Sequence, residues 1–313
     1  MLNNSDILFI YDAKLTNPNG DADDENKPRM DYETSTNLVS DVRLKRYARD
    51  YLVEKGYEVF VAQPEGKAVT ATQRIEGVLK KFDGKVNINK LTDDQIEWLL
   101  DQLIDVRLFG ATMPIKSADS KGSSITFTGP VQFSWGYSLN PVTLVESNTI
   151  TSRFSSEADK ATTMGKDYRL YYSLIAFSGV VSGNRAKHTK MNENDLNLLE
   201  EALIKAIPLM ATRSKIGQYP RLYLRVEYNS DEFLIGDLRD YIPRIEDVNV
   251  RNITDYTLDL EELKTVLEKH IDKINSISYW HHDQLKIKTD LGSGVLEKIM
   301  GDKLSSKLKK LPL

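Results

Sequence analysis

Apolar and polar positions in the first third of the chain predict a strand followed by a helix. Residues 6–14 contain ILFIY, whose β-branched and aromatic side chains are typical of a buried strand. The polar run 17–29 is rich in Asn, Pro, Gly and Asp, which favours a long loop. A helix is then predicted from near Asn37 to Glu54, because its apolar positions recur at helical spacing and Gly56 follows.

After a long insertion, the apolar pattern again predicts strands and helices. Thr92 and Gln95 form a capping box before a helix with one apolar face. Residues 125–135 alternate as a strand that Gly129-Pro130 interrupts, which indicates a bulge or an edge position. Further strands are predicted in 167–181 and 221–228 from the apolar spacing. Further helices are predicted over 259–277 and around Leu196, Leu199, Leu203 and Ile207, which would point inward.

This order of elements predicts the fold class. Strand, helix, long insertion, strand, helix, strand is the order of an α+β, ferredoxin-like core that carries large insertions. No internal repeat or linker is visible, so we expect one domain with protruding lobes.

Composition and charge narrow the possible functions. The 313 residues include no cysteine, which excludes disulfides, thiolate metal sites and cysteine nucleophiles and fits a cytoplasmic protein. No apolar run reaches about 18 residues, so we expect no membrane contact. The formal net charge is −4, so any basic surface for nucleic acid must be local.

The predicted first helix places cations on one arc. Arg43, Lys45, Arg46 and Arg49 lie opposite its apolar residues, an arrangement that suits a phosphate backbone. An ordinary solvated helix face has the same pattern, so both interpretations stay open.

A second basic segment spans residues 212–228. Arg213 and Lys215 lie in a turn with Gly217, whose missing side chain permits close approach to phosphate. On the strand that follows, alternation puts Arg221, Tyr223 and Arg225 on one face, which suits single-stranded nucleic acid. The alternative is an ordinary half-exposed strand.

Other clusters give weaker indications of chemistry. The acidic loop with Asp21, Asp23, Asp24 and Glu25 could hold Mg²⁺ for phosphodiester hydrolysis, although a solvated loop has the same composition. No histidine spacing matches a zinc site, and no phosphate-loop or nucleophile motif is present, so we expect no metal and no cofactor. The Lys-rich segment 298–313 could touch a neighbour or RNA, or be a solvated tail.

Several long motifs, in order, resemble one family. They are ILFIYDAKLTNPNGDADDENKPR, LVSDVRLKRYARDYL, RLFGATMP, ITFTGPVQFSWGYSLNPV, MGKDYRLYYSLIAFSGVV and TRSKIGQYPRLYLRVEY. Over about residues 5 to 230 the chain resembles the backbone subunit of type I-B CRISPR complexes, the Cas-seven family of the RAMP superfamily. In that superfamily the loop around Gly217 carries more glycines than the single one found here.

The resemblance implies a single hand-shaped domain. Its lobes would be an RRM-like palm (5–60 and 172–245), a helical finger insertion (61–147), a thumb β-hairpin (148–171) and a C-terminal helical region (246–313). It also implies binding of CRISPR guide RNA (crRNA) by the first helix and the Gly217 turn, including Arg221 on the next strand. The thumb would contribute Arg153, Phe154, Met164 and Lys166, with an apolar side chain wedged between bases.

The function expected from these indications is structural. Copies of the chain would polymerise along the guide, contact other subunits of the effector complex and present the guide for pairing with target DNA. Two alternatives remain at this stage. One is a metal-dependent ribonuclease that uses the acidic loop, and the other is a protein scaffold without RNA.

Overall fold

The structure is a computed structural model. It describes residues 2–63, 66–67, 69–82, 84–87, 91–115, 123–152 and 163–313. Within these ranges, no helix combines the length and apolarity needed to cross a bilayer.

The described residues contain both strands and helices. The strands are β1 Ser5–Thr16, β2 Gly20–Asp21, β3 Lys27–Pro28, β4 Met30–Asp31, β5 Thr36–Val39, β6 Gly110–Ile115, β7 Ser123–Thr128, β8 Val131–Phe133, β9 Gly136–Ser138, β10 Thr149–Ser152, β11 Thr163–Lys166, β12 Leu170–Val181, β13 Gln218–Tyr228, β14 Leu258–Asp259, β15 Ile274–His281, β16 Ile287–Thr289, β17 Gly292–Ser293 and β18 Leu308–Lys310. The helices are α1 Asp41–Glu54, α2 Ala71–Leu79, α3 Asp93–Gln102, α4 Ile104–Phe109, α5 Gly183–Thr189, α6 Glu193–Leu209, α7 Glu261–Lys269, α8 Leu296–Ile299 and α9 Gly301–Ser305.

A large mixed sheet organises the chain. Its order is β18-β15-β13-β1-β12-β9-β5-β4, and β8 also pairs with β12. Strand β1 lies between β12 and β13 and is antiparallel to both. Only β15 and β18 form a parallel pair within this sheet, as far as the described residues show. The predicted strands at 6–14, 167–181 and 221–228 are confirmed. The strand predicted over 125–135 divides at Gly129-Pro130 into β7, which pairs with β6, and β8, which pairs with β12.

Both faces of β1 are buried, because each is covered by a different part of the chain. Ile7, Phe9 and Tyr11 face α1 and α6, in one apolar cluster. Leu8 and Ile10 belong to a second cluster, built largely from residues after 228. Successive side chains of a strand point to opposite faces, so a strand that is buried on both faces needs apolar residues at successive positions. This explains the run ILFIY.

The C-terminal region adds strands as well as helices. The helix predicted over 259–277 ends at Lys269, and residues 274–281 instead form β15. Strand β15 pairs with β13, with Leu224 opposite Tyr279. Helical spacing of Ile271 and Ile274 misled the sequence-based prediction, because sheet pairing overrode local periodicity.

Helices α2 to α4 and the β6–β7 hairpin form an insertion with its own small apolar cluster. The predicted capping box at α3 is confirmed, since Thr92 accepts from the Gln95 backbone N–H and Gln95 accepts from the Thr92 backbone N–H. The insertion is joined to α1 by Asp105. Its carboxylate accepts hydrogen bonds from the backbone N–H groups of Phe60 and Val61, at 2.6 and 3.2 Å.

Candidate nucleic-acid interface

The loop of residues 212–217, called here the Gly217 loop, turns the chain from α6 into β13 beside the end of β1. The Ser214 carbonyl accepts from the Asn17 backbone N–H at 3.0 Å and from the Thr16 hydroxyl at 2.7 Å. Gly217 has φ +96°, and a Cβ there would lie 2.5 Å from the Lys14 carbonyl oxygen. Only glycine therefore fits this close approach of loop and strand.

Two cations lie near enough to influence each other beside the Gly217 loop, and neither is paired with a carboxylate in the described part of the chain. The Lys215 ammonium donates to the Asn17 carbonyl at 2.5 Å. Burial, and then the nearby Arg43 charge, lower the pKa of Lys215 to about 8. The Arg43 guanidinium lies 3.9 Å from the centre of the Tyr47 ring. No ion pair joins either cation to a carboxylate among the residues that the structure describes.

Unused polar atoms lie under this cation pair. The Arg43 Nε and the hydroxyls of Tyr11 and Tyr47 are buried and have no hydrogen-bond partner in the described part of the chain. A guanidinium and two phenol hydroxyls place hydrogen-bond donors next to positive charge here, which suits an anion. We call Arg43, Lys215 and the Gly217 loop the anion cradle.

The other cations of α1 are engaged elsewhere, so the expectation of four cations on an open helix face is wrong. Arg49 is buried, and its Nε donates to Asp105 at 2.8 Å. Lys45 is buried and reaches Asp41 at 2.9 Å and Gln132 at 3.2 Å. The insertion that packs against α1 covers these positions, which a helical wheel of α1 alone does not reveal.

Arg46 stays on the surface. Its side chain is 53% exposed, and its Nε donates to both carboxylate oxygens of Asp50, at 2.7 and 2.9 Å. An exposed pair one helical turn apart contributes little and is easily exchanged for another anion. Arg46 therefore remains accessible to a phosphate at the rim of the cradle.

The cationic face predicted for β13 is buried. Arg225 donates from Nε to Glu200 at 2.8 Å, and the Tyr223 hydroxyl donates to the same oxygen at 3.2 Å. Helix α6 carries Glu200 and covers this face. The prediction of a half-exposed strand open to nucleic acid is wrong because both sheet faces are packed.

Arg221 also departs from the predicted alternation. Ile10 pairs with Leu222 and Tyr11 with Pro220, so Arg221 lies in a bulge and has no residue opposite. Its Nε lies 2.9 Å from the buried Asp12 carboxylate. Burial raises the pKa of Asp12, and the Arg221 charge opposes that rise.

The acidic loop forms the small β2–β3 hairpin, in which three carboxylates have polar partners. Asp21 pairs with Arg29 at 3.0 Å and Asp24 with Lys27 at 2.6 Å, while Glu25 accepts from the Tyr168 hydroxyl. No three His, Asp or Glu side chains come together as a metal site within the described ranges.

The predicted thumb segment contains a two-stranded hairpin, β10–β11. Thr151 pairs with Met164, whose side chain is 72% exposed. The Lys166 ammonium donates to Asn148 at 3.2 Å and to Thr149 at 3.3 Å. Arg153 and Phe154 lie outside the described residues.

The base of this hairpin carries residues that the sequence analysis missed. Asp167 and Arg169 form an ion pair at 3.0 Å, and Arg213 of the Gly217 loop reaches the same carboxylate oxygen at 3.2 Å. Asp167 and Arg169 are only two positions apart, and no sequence signal indicates that residue 213 joins them.

Comparison with known proteins identifies the family. The model of CRISPR-associated protein Cas7 matches residues 3–261. The chain belongs to the Cas7 family. This Cas7-family chain is 34% identical over 318 aligned residues to the CRISPR-associated protein Cas7 of Haloferax volcanii, with 96% of the chain and 90% of that protein covered.

A solved structure shares the fold of this Cas7-family chain. A chain described as "CRISPR RNA-guided surveillance complex, pre-nicking" aligns with a TM-score of 0.54 at 15% identity, over 99% of this chain and 96% of that one. A chain of another "CRISPR RNA-guided surveillance complex" aligns with a TM-score of 0.49 at 12% identity, over 90% of each. The mixed sheet with its insertions is therefore a known architecture.

Proposed function

We propose that this chain is a backbone subunit of a CRISPR RNA-guided surveillance complex, of type I-B. It binds guide RNA without cutting it, repeats along the guide beside other subunits, and presents the guide to target DNA. Membership in the Cas7 family supports the role, and the anion cradle supports the ligand. The strands around β1 serve as an RRM-like palm, α2 to α4 as a finger, and β10–β11 as a thumb.

The cation pair at Arg43 and Lys215 carries the RNA-binding proposal. Two cations placed near each other beside buried hydrogen-bond donors attract an anion, which offsets their mutual repulsion. The Gly217 loop allows a phosphate to approach the backbone closely. A phosphodiester of single-stranded RNA has the charge and size that this cradle accommodates.

The residues predicted to bind RNA that the structure describes divide into three groups. Arg43, Arg46, Arg213, Lys215 and Gly217 serve the phosphate backbone, because they form the cradle or its exposed rim. Lys45, Arg49 and Arg221 stabilise the fold through the partners already described. Met164 and Lys166 contact bases and phosphates along the thumb.

Purification of the chain with its bound nucleic acid tests this function. Expressed with a CRISPR array, the wild-type protein should copurify with short RNA of guide sequence, while R43A combined with K215A should lose it. The matched control is K187A with K190A, which also removes two cations. These are surface residues that pair with Asp231 and Glu97. Equal RNA recovery from both double variants would contradict the cradle, and no RNA with the wild type would favour a scaffold.

A further inference from the structure

Three consecutive residues after β11 each reach a different element. The Asp167 carboxylate accepts from Arg213 in the Gly217 loop at 3.2 Å. The Tyr168 hydroxyl donates to Glu25 in the β2–β3 hairpin. Arg169 donates to two backbone carbonyl groups. One is that of Leu15, near the end of β1, at 2.8 Å, and the other is that of Arg213, at 3.2 Å.

Asp167 is the central member of this network. Its Oδ2 accepts from both Arg169 Nε and Nη2, at 3.1 and 3.0 Å, as well as from Arg213. Its side chain is only 13% exposed, whereas that of Arg213 is 68% exposed. A charged acceptor shielded from water and shared by two guanidinium groups holds them more firmly than an isolated surface pair does.

The network joins the Gly217 loop to the base of the β10–β11 hairpin. The Asp167 backbone N–H donates to the Asn148 carbonyl at 2.8 Å, so the carboxylate is fixed to the residue that precedes β10. We propose that Asp167–Arg169 is a clamp that couples occupancy of the anion cradle to the position of the hairpin. Asp167 is its positioning residue and does not itself touch RNA.

The acidic loop gains a role from the same contacts. Glu25 holds Tyr168, and the Lys27 ammonium lies 5.5 Å from the centre of the Tyr168 ring. The hairpin of β2 and β3 therefore braces the clamp through Tyr168. Its Glu25 carboxylate contributes to the clamp.

Coupling has a definite energetic meaning. If bound phosphate stabilises the loop, and the loop is tied to the hairpin, then RNA should also slow opening of the hairpin. Cutting the tie should leave the cradle's own contacts to phosphate in place while abolishing the effect of phosphate on the hairpin. The inference rests on the proposed function only in taking the cradle's occupant to be RNA phosphate.

Hydrogen exchange on the full chain, with and without a single-stranded RNA oligonucleotide, tests the clamp. In the wild type, RNA should slow exchange in the Gly217 loop and also in β10 and β11. In D167N, RNA should still protect the loop but no longer the hairpin. Affinity should be equal or about two- to fivefold tighter, because Arg213 loses a competing carboxylate.

Two further variants keep the test decisive. D231N removes a carboxylate that pairs with Lys187 at 3.3 Å on another surface, and it should behave as the wild type does. Y168F removes the hydrogen bond to Glu25, leaves both arginines paired with Asp167, and should weaken the protection of the hairpin by RNA. It therefore tests the clamp even if D167N fails to fold. Hairpin protection unchanged in D167N and Y168F would overturn the clamp, whereas a wild type that binds no RNA would overturn the proposed function instead.

Discussion

At the scale of single residues, the cations of α1 divide by their partners rather than by their charge. Replacing Arg43 with Ala should weaken RNA binding and lower the slope of log affinity against log salt by about 0.7, the value for one lost single-strand phosphate contact. Replacing Arg49 with Ala should leave Asp105 buried without a cation and lower the free energy of unfolding by ~3–5 kcal/mol. Salt titrations and urea unfolding of both variants measure this, and similar effects of the two changes would contradict the division.

At the same scale, Lys215 should make RNA affinity depend on pH. Its folded-state pKa of about 8 lies below the ordinary value of 10.5, so the folded protein loses this charge as pH rises through about 8. RNA affinity should therefore fall across that range, and K215R should flatten the profile because arginine stays protonated. The unfolded chain retains the proton up to about 10.5, so this residue's contribution to stability rises with pH over the same window. Affinity measured by fluorescence anisotropy from about pH 7 to 9 decides it, and an unchanged wild-type profile would exclude Lys215 from the site.

At the scale of elements, the Gly217 loop depends on a backbone shape and on a close approach together. G217A should weaken RNA binding and reduce stability, because alanine meets both the left-handed φ and the Lys14 carbonyl 2.5 Å away. Gly292 has a similar φ of +103° but nothing within 4 Å, so G292A isolates the cost of the backbone shape. Thermal melts and RNA titrations of the pair should show the larger loss for G217A, and equal losses would remove the close approach from the explanation.

At the scale of elements, some of the fold can be predicted from sequence patterns and some cannot. Strands β1, β12 and β13 and helices α1 and α6 follow from apolar spacing, because each is long and packs an apolar side inward. The pattern could not reveal the bulge that turns Arg221 toward Asp12, nor α6 covering Arg225, since both depend on pairing between distant segments. Cations that look alike in the sequence therefore differ in whether a carboxylate on another element already pairs with them.

At the scale of the whole molecule, the structural role predicts no RNA cleavage. The assembled complex with a guide should leave complementary RNA intact in Mg²⁺, because Asp21, Asp24 and Glu25 are engaged with Arg29, Lys27 and Tyr168. Gel analysis of end-labelled RNA checks this. Cleavage that D21N, D23N or D24N abolishes would instead establish a ribonuclease.

The position of β15 also limits how this chain can be shortened. The match to the family model stops at residue 261, and a fragment ending there would lack β15 and β18. Strand β13 would then become a long, bare sheet edge, and Leu224 and Val226 would lose the cover of Ile277 and Tyr279. Such edges recruit strands from other molecules, so the fragment should form insoluble aggregates. The last 52 residues are thus expected to protect the large mixed sheet from self-association, a task independent of any nucleic acid.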